Sequence, residues 1–201
     1  MSASTLPKTV QSMWHFLKGR RAALVLLTSL VLCSAGTLTA QTAPRFVEDE
    51  ESNADLVGKK APDFTLQTLG GEKVTLSKLK GKVVLVDFWA SWCGPCRKSM
   101  PHLEETWQKY KDKGLVVVGI NVDKEPEKAR AFLGKLSATT KISYATALDP
   151  NARVLGAYQV MQMPTAVLIG RDGLVKERIV GFSEEIGAKT TTQIEALLKA
   201  K

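Results

Sequence analysis

The pattern of apolar and polar side chains changes several times after residue 56, and each change predicts a different element. Residues 63–69 and 73–76 alternate between apolar and polar positions and are joined at Gly70-Gly71, which predicts a β-hairpin. Three later runs are almost continuously apolar, as expected of strands covered on both faces: KVVLVDFWA, LVVVGINVD and TAVLIG. The turn RDG and the run LVKERIVGF predict an antiparallel partner for the third strand.

Segments with helical spacing of apolar side chains lie between and after these strands. PHLEETWQKYKDKG and EPEKARAFLGKL each follow a buried strand, and DPNARVLGAYQV predicts a shorter helix. SEEIGAKTTTQIEALLKA predicts a final amphipathic helix, with Ser183 and two glutamates suited to its start. The order of elements predicts an α/β domain, in which a mixed central β-sheet is flanked by helices and preceded by an N-terminal β-hairpin.

Residues 1–40 have the organisation of an export segment. A basic patch, KGRR at residues 18–21, precedes an apolar run over 22–33, which is shorter than the roughly 20 residues of a membrane span. Two interpretations stay open: a signal peptide cleaved after Ala40, or an uncleaved N-terminal membrane anchor. Cys33 follows Leu32, whereas a lipobox needs a small residue there, so lipidation is disfavoured. Both interpretations place the domain outside the cytoplasm, in the periplasm or an equivalent compartment.

The remaining sequence divides into a short linker and one domain. Residues 41–55 include a run of acidic side chains and little apolar periodicity, which predicts a flexible acidic linker. Residues 56–201 are long enough to bury one sizeable core.

The net charge of +8 is inflated by the N-terminal segment. Four of the 28 basic residues and none of the 20 acidic residues lie in the first 40, so 24 basic residues face 20 acidic ones in the rest of the chain. No basic run of five is present. We therefore expect no nucleic-acid partner.

Cys93 and Cys96 are the two cysteines that follow the export segment, and three roles are conceivable for them. A structural zinc ion needs four ligands, yet the only other histidine or cysteine outside the export segment is His102, since His15 and Cys33 lie within that segment. A structural disulfide across so small a loop would constrain the unfolded chain least of all. A redox-active dithiol is the interpretation that remains, and it requires neither a metal nor a cofactor.

The turn CGPC is suited to this chemistry. A thiol in the first turn of a helix lies at the positive end of the helix dipole, which lowers its pKa and increases its thiolate fraction. Cys93 lies there if a helix begins at about Pro95, and Gly94 and Pro95 suit a tight strand-to-helix turn. Cys96, one turn later, would be shielded yet within reach of the first sulfur. The spacing thus predicts an attacking and a resolving thiol.

The stretch VLVDFWASWCGPC resembles the active-site strand and turn of thioredoxin. The wider chain, from GKKAPDFTLQTLGGEKVTLSKLKGKVVLVDFWASWCGPCRKSMP through MPTAVLIGRDG, resembles the exported TlpA/ResA-like thiol-disulfide oxidoreductases of the thioredoxin superfamily, which have an AhpC/TSA-redoxin-type domain. The resemblance covers residues 56–201 and implies the thioredoxin fold. It assigns the redox pair to Cys93 and Cys96, a kink-forming helix proline to Pro101 and a cis-proline to Pro164.

Further site residues follow from the strand and from the resemblance. Asp87 lies in an apolar strand, where burial would raise its pKa. The resemblance implies that Asp87 assists proton transfer at Cys96. The alternative is that Asp87 merely ends the strand. The resemblance also implies that the Met163 backbone pairs with an extended substrate peptide. The predicted substrate-binding residues are Trp92, Gly94, Pro95, Met163 and Pro164.

Three neighbouring features receive weaker interpretations. Trp89 and Trp92 could form an apolar rim for the substrate, although core packing is favoured for Trp89. His102 and three lysines that follow it are most simply explained as a solvated helix face. The lysines are Lys109, Lys111 and Lys113.

One position departs from the resemblance. Many ResA-like proteins carry a glutamate three residues after the second cysteine, where this chain has Ser99. This weakens the transfer of a role in preparing apocytochrome c for haem attachment. Asp87 points the same way, because that subfamily often has another residue at the strand position. The site therefore resembles a general thioredoxin on a TlpA-like frame.

These features predict an exported oxidoreductase that reduces disulfides of extracytoplasmic proteins and receives electrons from a membrane thiol carrier of the DsbD/CcdA kind. A role in cytochrome c maturation is a narrower hypothesis. One alternative is a peroxiredoxin, but its P-x-x-x-T-x-x-C motif is replaced by Val86 and Ala90 at the proline and threonine positions. The other is a non-catalytic assembly factor that binds extended peptides.

Overall fold

The computed structural model describes residues 56–200, which form a mixed five-stranded sheet with a separate hairpin. The strand order is β5-β4-β3-β6-β7, with β3, β4 and β5 parallel to one another and β6 antiparallel to both β3 and β7. The strands are β1 Thr65–Gln67, β2 Lys73–Thr75, β3 Val83–Trp89, β4 Leu115–Asn121, β5 Ala145–Leu148, β6 Thr165–Ile169 and β7 Val175–Val180. The predicted α/β class and thioredoxin fold are confirmed.

Four α-helices and two short 3-10 turns complete the domain. The helices are α1 Gly94–Tyr110, α2 Pro126–Leu136, α3 Arg153–Ala157 and α4 Glu184–Lys199, and the 3-10 turns span Leu76–Leu79 and Lys111–Lys113. Ser183 caps α4 as predicted, because its hydroxyl accepts a hydrogen bond from the Ile186 N–H at 3.2 Å. Helix α1 begins one residue before the predicted start and contains Pro101, which has no N–H to donate within the helix.

The two faces of β3 supply two hydrophobic cores, since successive side chains of a strand point to opposite faces. On one face Leu85 and Trp89 pack with side chains of α1, α2 and α4, and the Trp89 and Phe132 ring centres lie 5.3 Å apart. On the other face Phe88 packs against Tyr158 with ring centres 5.4 Å apart. All seven residues of β3 are buried, which explains why its sequence is apolar at every position except Asp87.

The predicted hairpin is present, with shorter strands than the alternating pattern indicated. Thr65 pairs with Thr75 and Leu66 with Val74, and Gly71 takes a φ of +93° in the turn. This left-handed conformation is open to glycine at little cost, which explains why Gly70-Gly71 directs the chain back on itself.

Strand β5 is an element that the sequence analysis did not predict. Its four residues, ATAL, contain two alanines and no continuous branched run, so its local strand signal is weak. Pairing with neighbouring segments stabilises the strand conformation instead: Ala145 is in register with Val118 of β4, and Ala147 forms a β-bridge with Thr68 beside the hairpin.

Between residues 56 and 200, no helix combines the length and the apolar character that crossing a membrane requires. The predicted export segment or anchor, residues 1–40, and the predicted linker, residues 41–55, lie outside the described residues.

Candidate functional site

The cysteine pair lies where β3 ends and α1 begins. Cys93 is the N-cap residue of α1 and Cys96 lies in its first turn, and the two form a disulfide with Cα atoms 5.4 Å apart. The backbone N–H of Cys96 donates to Cys93 Sγ at 3.2 Å. Pro95 occupies a first-turn position that has no carbonyl partner inside the helix, so its missing N–H costs nothing there.

Burial differs along the CGPC turn. Cys96 is inaccessible and Cys93 is 5 % exposed, whereas Gly94 and Pro95 are exposed. In the reduced state the helix N-terminus and the Cys96 amide would stabilise negative charge on the Cys93 sulfur. The arrangement therefore places a stabilised thiolate near the surface and a second sulfur beneath it.

Asp87 lies in the middle of β3, where small residues flank it on both neighbouring strands. It is in register with Gly119 of β4 and Ala166 of β6 and is 1 % exposed. Its Oδ2 atom has no hydrogen-bond partner in the part of the chain that the structure describes. Burial without compensation raises the pKa of Asp87 to about 8, the direction that its apolar strand predicted. Near neutral pH the carboxyl group can therefore exchange a proton.

A loop with a cis peptide bond leads into β6. The Met163–Pro164 bond is cis, and Pro164 lines a small cavity together with Asp87. Outside the sheet ladder, none of the backbone hydrogen bonds found within residues 56–200 involves Met163. The Met163 backbone is thus available for a hydrogen bond next to the site.

Two exposed apolar side chains belong to the segments that carry the disulfide and the cis bond. Trp92, immediately before Cys93, is 70 % exposed, and Met161, two residues before Met163, is 93 % exposed. Trp89, by contrast, is fully buried, so the interpretation of Trp89 as part of a substrate rim is wrong and its core role is correct. Sequence reasoning missed Met161, whose only signal was its position just before the MP dipeptide.

Asp123 is a second residue that sequence reasoning missed. It follows β4 and is 4 % exposed, and its carboxylate accepts hydrogen bonds from the Ser91 N–H at 2.9 Å, the Ser91 hydroxyl at 3.0 Å and the Asn121 amide at 2.8 Å. The Val122 N–H also donates to the Trp89 carbonyl at 3.1 Å. Asp123 therefore fastens the loop that carries Cys93 to the end of the neighbouring strand.

Replacing Asp123 with alanine is expected to lower the free energy of unfolding by about 2 kcal/mol, because the Ser91 and Asn121 donors lose their acceptor in a buried site. Urea unfolding of the oxidised protein measures this change. Asp112→Ala is the matched control, since Asp112 is exposed in a 3-10 turn. Equal midpoints for the Asp123 and Asp112 variants would contradict the anchoring role.

Ser99 and His102 lie on the buried side of α1. Ser99 is 4 % exposed, and its hydroxyl donates to the Cys96 carbonyl at 3.1 Å. His102 is half-buried, with its ring 5.9 Å from the Phe182 ring centre and its Nε2 atom 3.2 Å from Thr191 Oγ1. The assignment of His102 to a solvated helix face is therefore wrong, because α4 packs over it.

The three lysines grouped with His102 are exposed as expected, and they lie near aromatic rings. Lys109 and Lys113 lie 5.0 and 5.3 Å from the Tyr110 ring centre, and Lys111 lies 5.0 Å from that of Trp107.

Comparison with known proteins agrees with this geometry. The redoxin family model matches residues 56–198. The chain is 33% identical over 183 residues to the thiol-disulfide oxidoreductase ResA of Bacillus cereus, covering 91% of this chain and 98% of the relative. It is also similar to the crystal structure of a putative thiol:disulfide interchange protein DsbE from Chlorobium tepidum, at 42% identity and a TM-score of 0.65 over 69% of this chain and 95% of that one. The solution structure of a putative protein disulfide isomerase from Bacteroides thetaiotaomicron gives 38% identity and the same TM-score, over 72% and 91% of the two chains.

Proposed function

The chain belongs to the redoxin family and is a ResA-like thiol-disulfide oxidoreductase of the thioredoxin superfamily, and on this basis we propose that it reduces disulfides in exported proteins. The observation that carries the proposal is the Cys96 N–H directed at Cys93 Sγ, at the N-terminus of α1. A sulfur in this position is stabilised as a thiolate, the form that attacks disulfides.

Cys93 is the attacking residue in this proposal. In the reduced enzyme its thiolate attacks one sulfur of a substrate disulfide, forming a mixed disulfide and releasing the other substrate sulfur as a thiolate. Cys93 is the sulfur with residual exposure, whereas Cys96 has none, so an incoming substrate reaches Cys93 first.

Cys96 resolves the mixed disulfide, and Asp87 assists it. Cys96 must lose its proton before its sulfur attacks Cys93 Sγ, and we assign that proton to the Asp87 carboxylate. The attack forms the Cys93–Cys96 disulfide seen in the structure and releases the second substrate sulfur as a thiolate. Two electrons thus pass from the enzyme dithiol to the substrate.

The substrate is proposed to be an extended polypeptide. The Met163 backbone next to the cis bond is available to pair with such a segment, as an added strand would. The exposed side chains of Trp92 and Met161 offer apolar contacts for such a polypeptide, and the exposed Gly94 and Pro95 leave the turn between the cysteines open.

The compartment and the electron source complete the proposal. The basic and apolar pattern of residues 1–40 supports export, with the domain either released after cleavage or held at the membrane by its anchor. Because such a compartment is oxidising, a reductase there needs an electron source, and we propose a membrane thiol carrier of the DsbD/CcdA kind.

Ser99 bears on the narrower proposal of cytochrome c maturation. Its hydroxyl is buried and engaged with the Cys96 carbonyl, and it cannot supply the carboxylate that many ResA-like proteins have at this position. We therefore favour a broad set of disulfide substrates over apocytochrome c alone.

Trapping with Cys96→Ser tests the proposal. Without its resolving thiol the enzyme is expected to hold substrates on Cys93 as mixed disulfides that a reductant releases. Non-reducing electrophoresis and mass spectrometry of the captured proteins identify the partners, and a captured membrane thiol carrier would support the proposed donor. Capture of apocytochrome c alone would favour the narrower role.

The matched control is the double variant Cys93→Ser, Cys96→Ser, which keeps the surface but has no sulfur at the site. Equal capture by the single and double variants would contradict dithiol exchange at Cys93.

A further inference from the structure

A small cavity lies between the sheet and the helices α1 and α4. Its volume is about 30 Å³. Its lining includes Asp87, Ser99, His102, Pro164, Phe182 and Thr190. The cavity therefore connects the buried acid of β3 with the half-buried histidine of α1.

The inner end of the cavity is suited to water. Asp87 Oδ2 is buried without a partner among residues 56–200. The Ser99 and Thr190 hydroxyls donate to the Cys96 and Ile186 carbonyls, and their oxygens keep lone pairs that can accept hydrogen bonds. Since one water molecule needs roughly 10 to 15 Å³ measured in this way, one or two water molecules fit against these polar groups.

His102 lines the same cavity, and contacts on two sides hold its ring in place. Its Nε2 pairs with Thr191 Oγ1, and the ring packs against Phe182. Gly187 of α4 makes room for it, because a Cβ atom on Gly187 would lie 2.9 Å from His102 Nε2. His102 thus lines the cavity and, being half-buried, also remains partly accessible to solvent.

We propose that water in this cavity carries the proton from Asp87 to His102, and that His102 exchanges it with solvent. This inference rests on the proposed role of Asp87. In resolution the Cys96 thiol gives its proton to the Asp87 carboxylate, the carboxyl passes a proton through water to the neutral imidazole, and the imidazolium releases it to bulk water. When the donor reduces the enzyme again, the proton returns by the reverse route.

The need for such a route follows from burial. Asp87 is 1 % exposed, so it cannot exchange its proton directly with solvent between turnovers. Of the described residues that line the cavity, Asp87 of β3 and His102 of α1 alone have an acid–base side chain; the lining residues of β6, β7 and α4 are uncharged. Tyr144, which interacts electrostatically with Asp87, is a further titratable group near the acid. An imidazole both accepts and donates a proton near neutral pH, which suits the proposed exit.

The test measures the resolving step alone, by stopped-flow reduction of a fluorogenic disulfide peptide in weak buffer. His102→Ala removes the imidazole and leaves space for a small base, and His102→Gln keeps a polar partner for Thr191 that does not titrate. Both variants are expected to slow resolution about tenfold, a modest share of what general acid–base catalysis contributes, with the first attack by Cys93 unchanged. Added imidazole is expected to restore the rate of His102→Ala.

The same measurement in an Asp87→Asn background separates transfer from structure. If His102 acts through Asp87, His102→Ala has no further effect there. Wild-type rates in both His102 variants, a loss that imidazole does not restore, or an equal loss in the Asp87→Asn background would each overturn the proposal. None of these outcomes touches the dithiol chemistry, which fails only if the enzyme works without its cysteines.

Discussion

Cys93→Ser is expected to reduce the rate of protein disulfide reduction by about a thousandfold or more, because a serine hydroxyl does not ionise near neutral pH and cannot form the mixed disulfide. The rate is measured as reduction of a protein disulfide with a dithiol as the electron source. The value of kcat/KM is expected to fall by this factor, since Cys93 makes the first covalent bond with the substrate.

Cys33→Ser is the matched control for this substitution in the chain that retains residues 1–40. It also removes one thiol, but one that precedes the redoxin domain, and it is expected to leave the rate unchanged. Far-UV circular dichroism of Cys93→Ser distinguishes loss of chemistry from loss of fold. A folded Cys93→Ser protein that still reduced disulfides at a substantial rate would contradict the assignment of Cys93 as the attacking thiol. One that lost this activity but kept full cellular function would point instead to a non-catalytic peptide-binding role.

Asp87→Asn is expected to stabilise the oxidised protein at alkaline pH. Burial raises the pKa of Asp87 to about 8, whereas a carboxyl in the unfolded chain titrates near pH 4, about its ordinary value. As pH rises between these values, the unfolded chain releases this proton while the folded chain retains it, so the free energy of unfolding falls. Asparagine removes this penalty, and the gain at pH 8 is on the order of 3 to 5 kcal/mol.

The sign of this effect is checked by denaturant unfolding at several pH values, with the disulfide intact. The difference between Asp87→Asn and the wild type is expected to be small at pH 4 and to grow up to pH 8. Asp123→Asn is a matched control, because that buried carboxylate has partners, and its substitution is expected to destabilise the protein at neutral pH. A stability difference for Asp87→Asn that does not depend on pH would show that the carboxyl is not buried as an uncharged group.

The same substitution is expected to slow the resolving step about ten- to a hundredfold and to flatten its dependence on pH around pH 8, since the proton acceptor for Cys96 is lost. An unchanged pH profile of disulfide reduction would contradict the acid–base role. One substitution thus stabilises the molecule and impairs its chemistry, which is the trade-off expected of a buried functional acid.

Most of the fold could be predicted because its signals are local. The almost continuously apolar β3, the glycine turn of the hairpin and the Ser183 cap each rest on residues that lie within a few positions of one another. Strand β5 could not be predicted in this way, since its strand conformation depends on pairing with β4 and on contact with the hairpin, both distant in sequence. Tertiary context overrides local preference most easily in short strands.

The residues of the candidate site likewise differ in whether their own segment is enough to predict them. The cysteines and Asp87 stand out from their own segment, because CGPC and a lone acid in an apolar strand are unusual patterns. Asp123 and His102 resemble ordinary loop and helix residues until Ser91, 32 positions away, and Thr191, 89 positions away, are brought against them. Trp89 and Trp92 are three residues apart, and only the packing of α2 over Trp89 separates a core residue from an exposed one.

The segment that precedes β3 lies along both outer strands of the main sheet. The hairpin end meets β5, where the Leu69 N–H donates to the Thr146 carbonyl at 2.8 Å, and residues 57–60 lie along the start of β7, where the Gly58 N–H donates to the Val175 carbonyl at 2.8 Å. Unpaired outer strands are templates on which other chains add and aggregate. The margins of the main sheet are thereby shielded by the protein's own chain. Truncating the hairpin would therefore compromise solubility before it compromised thiol exchange.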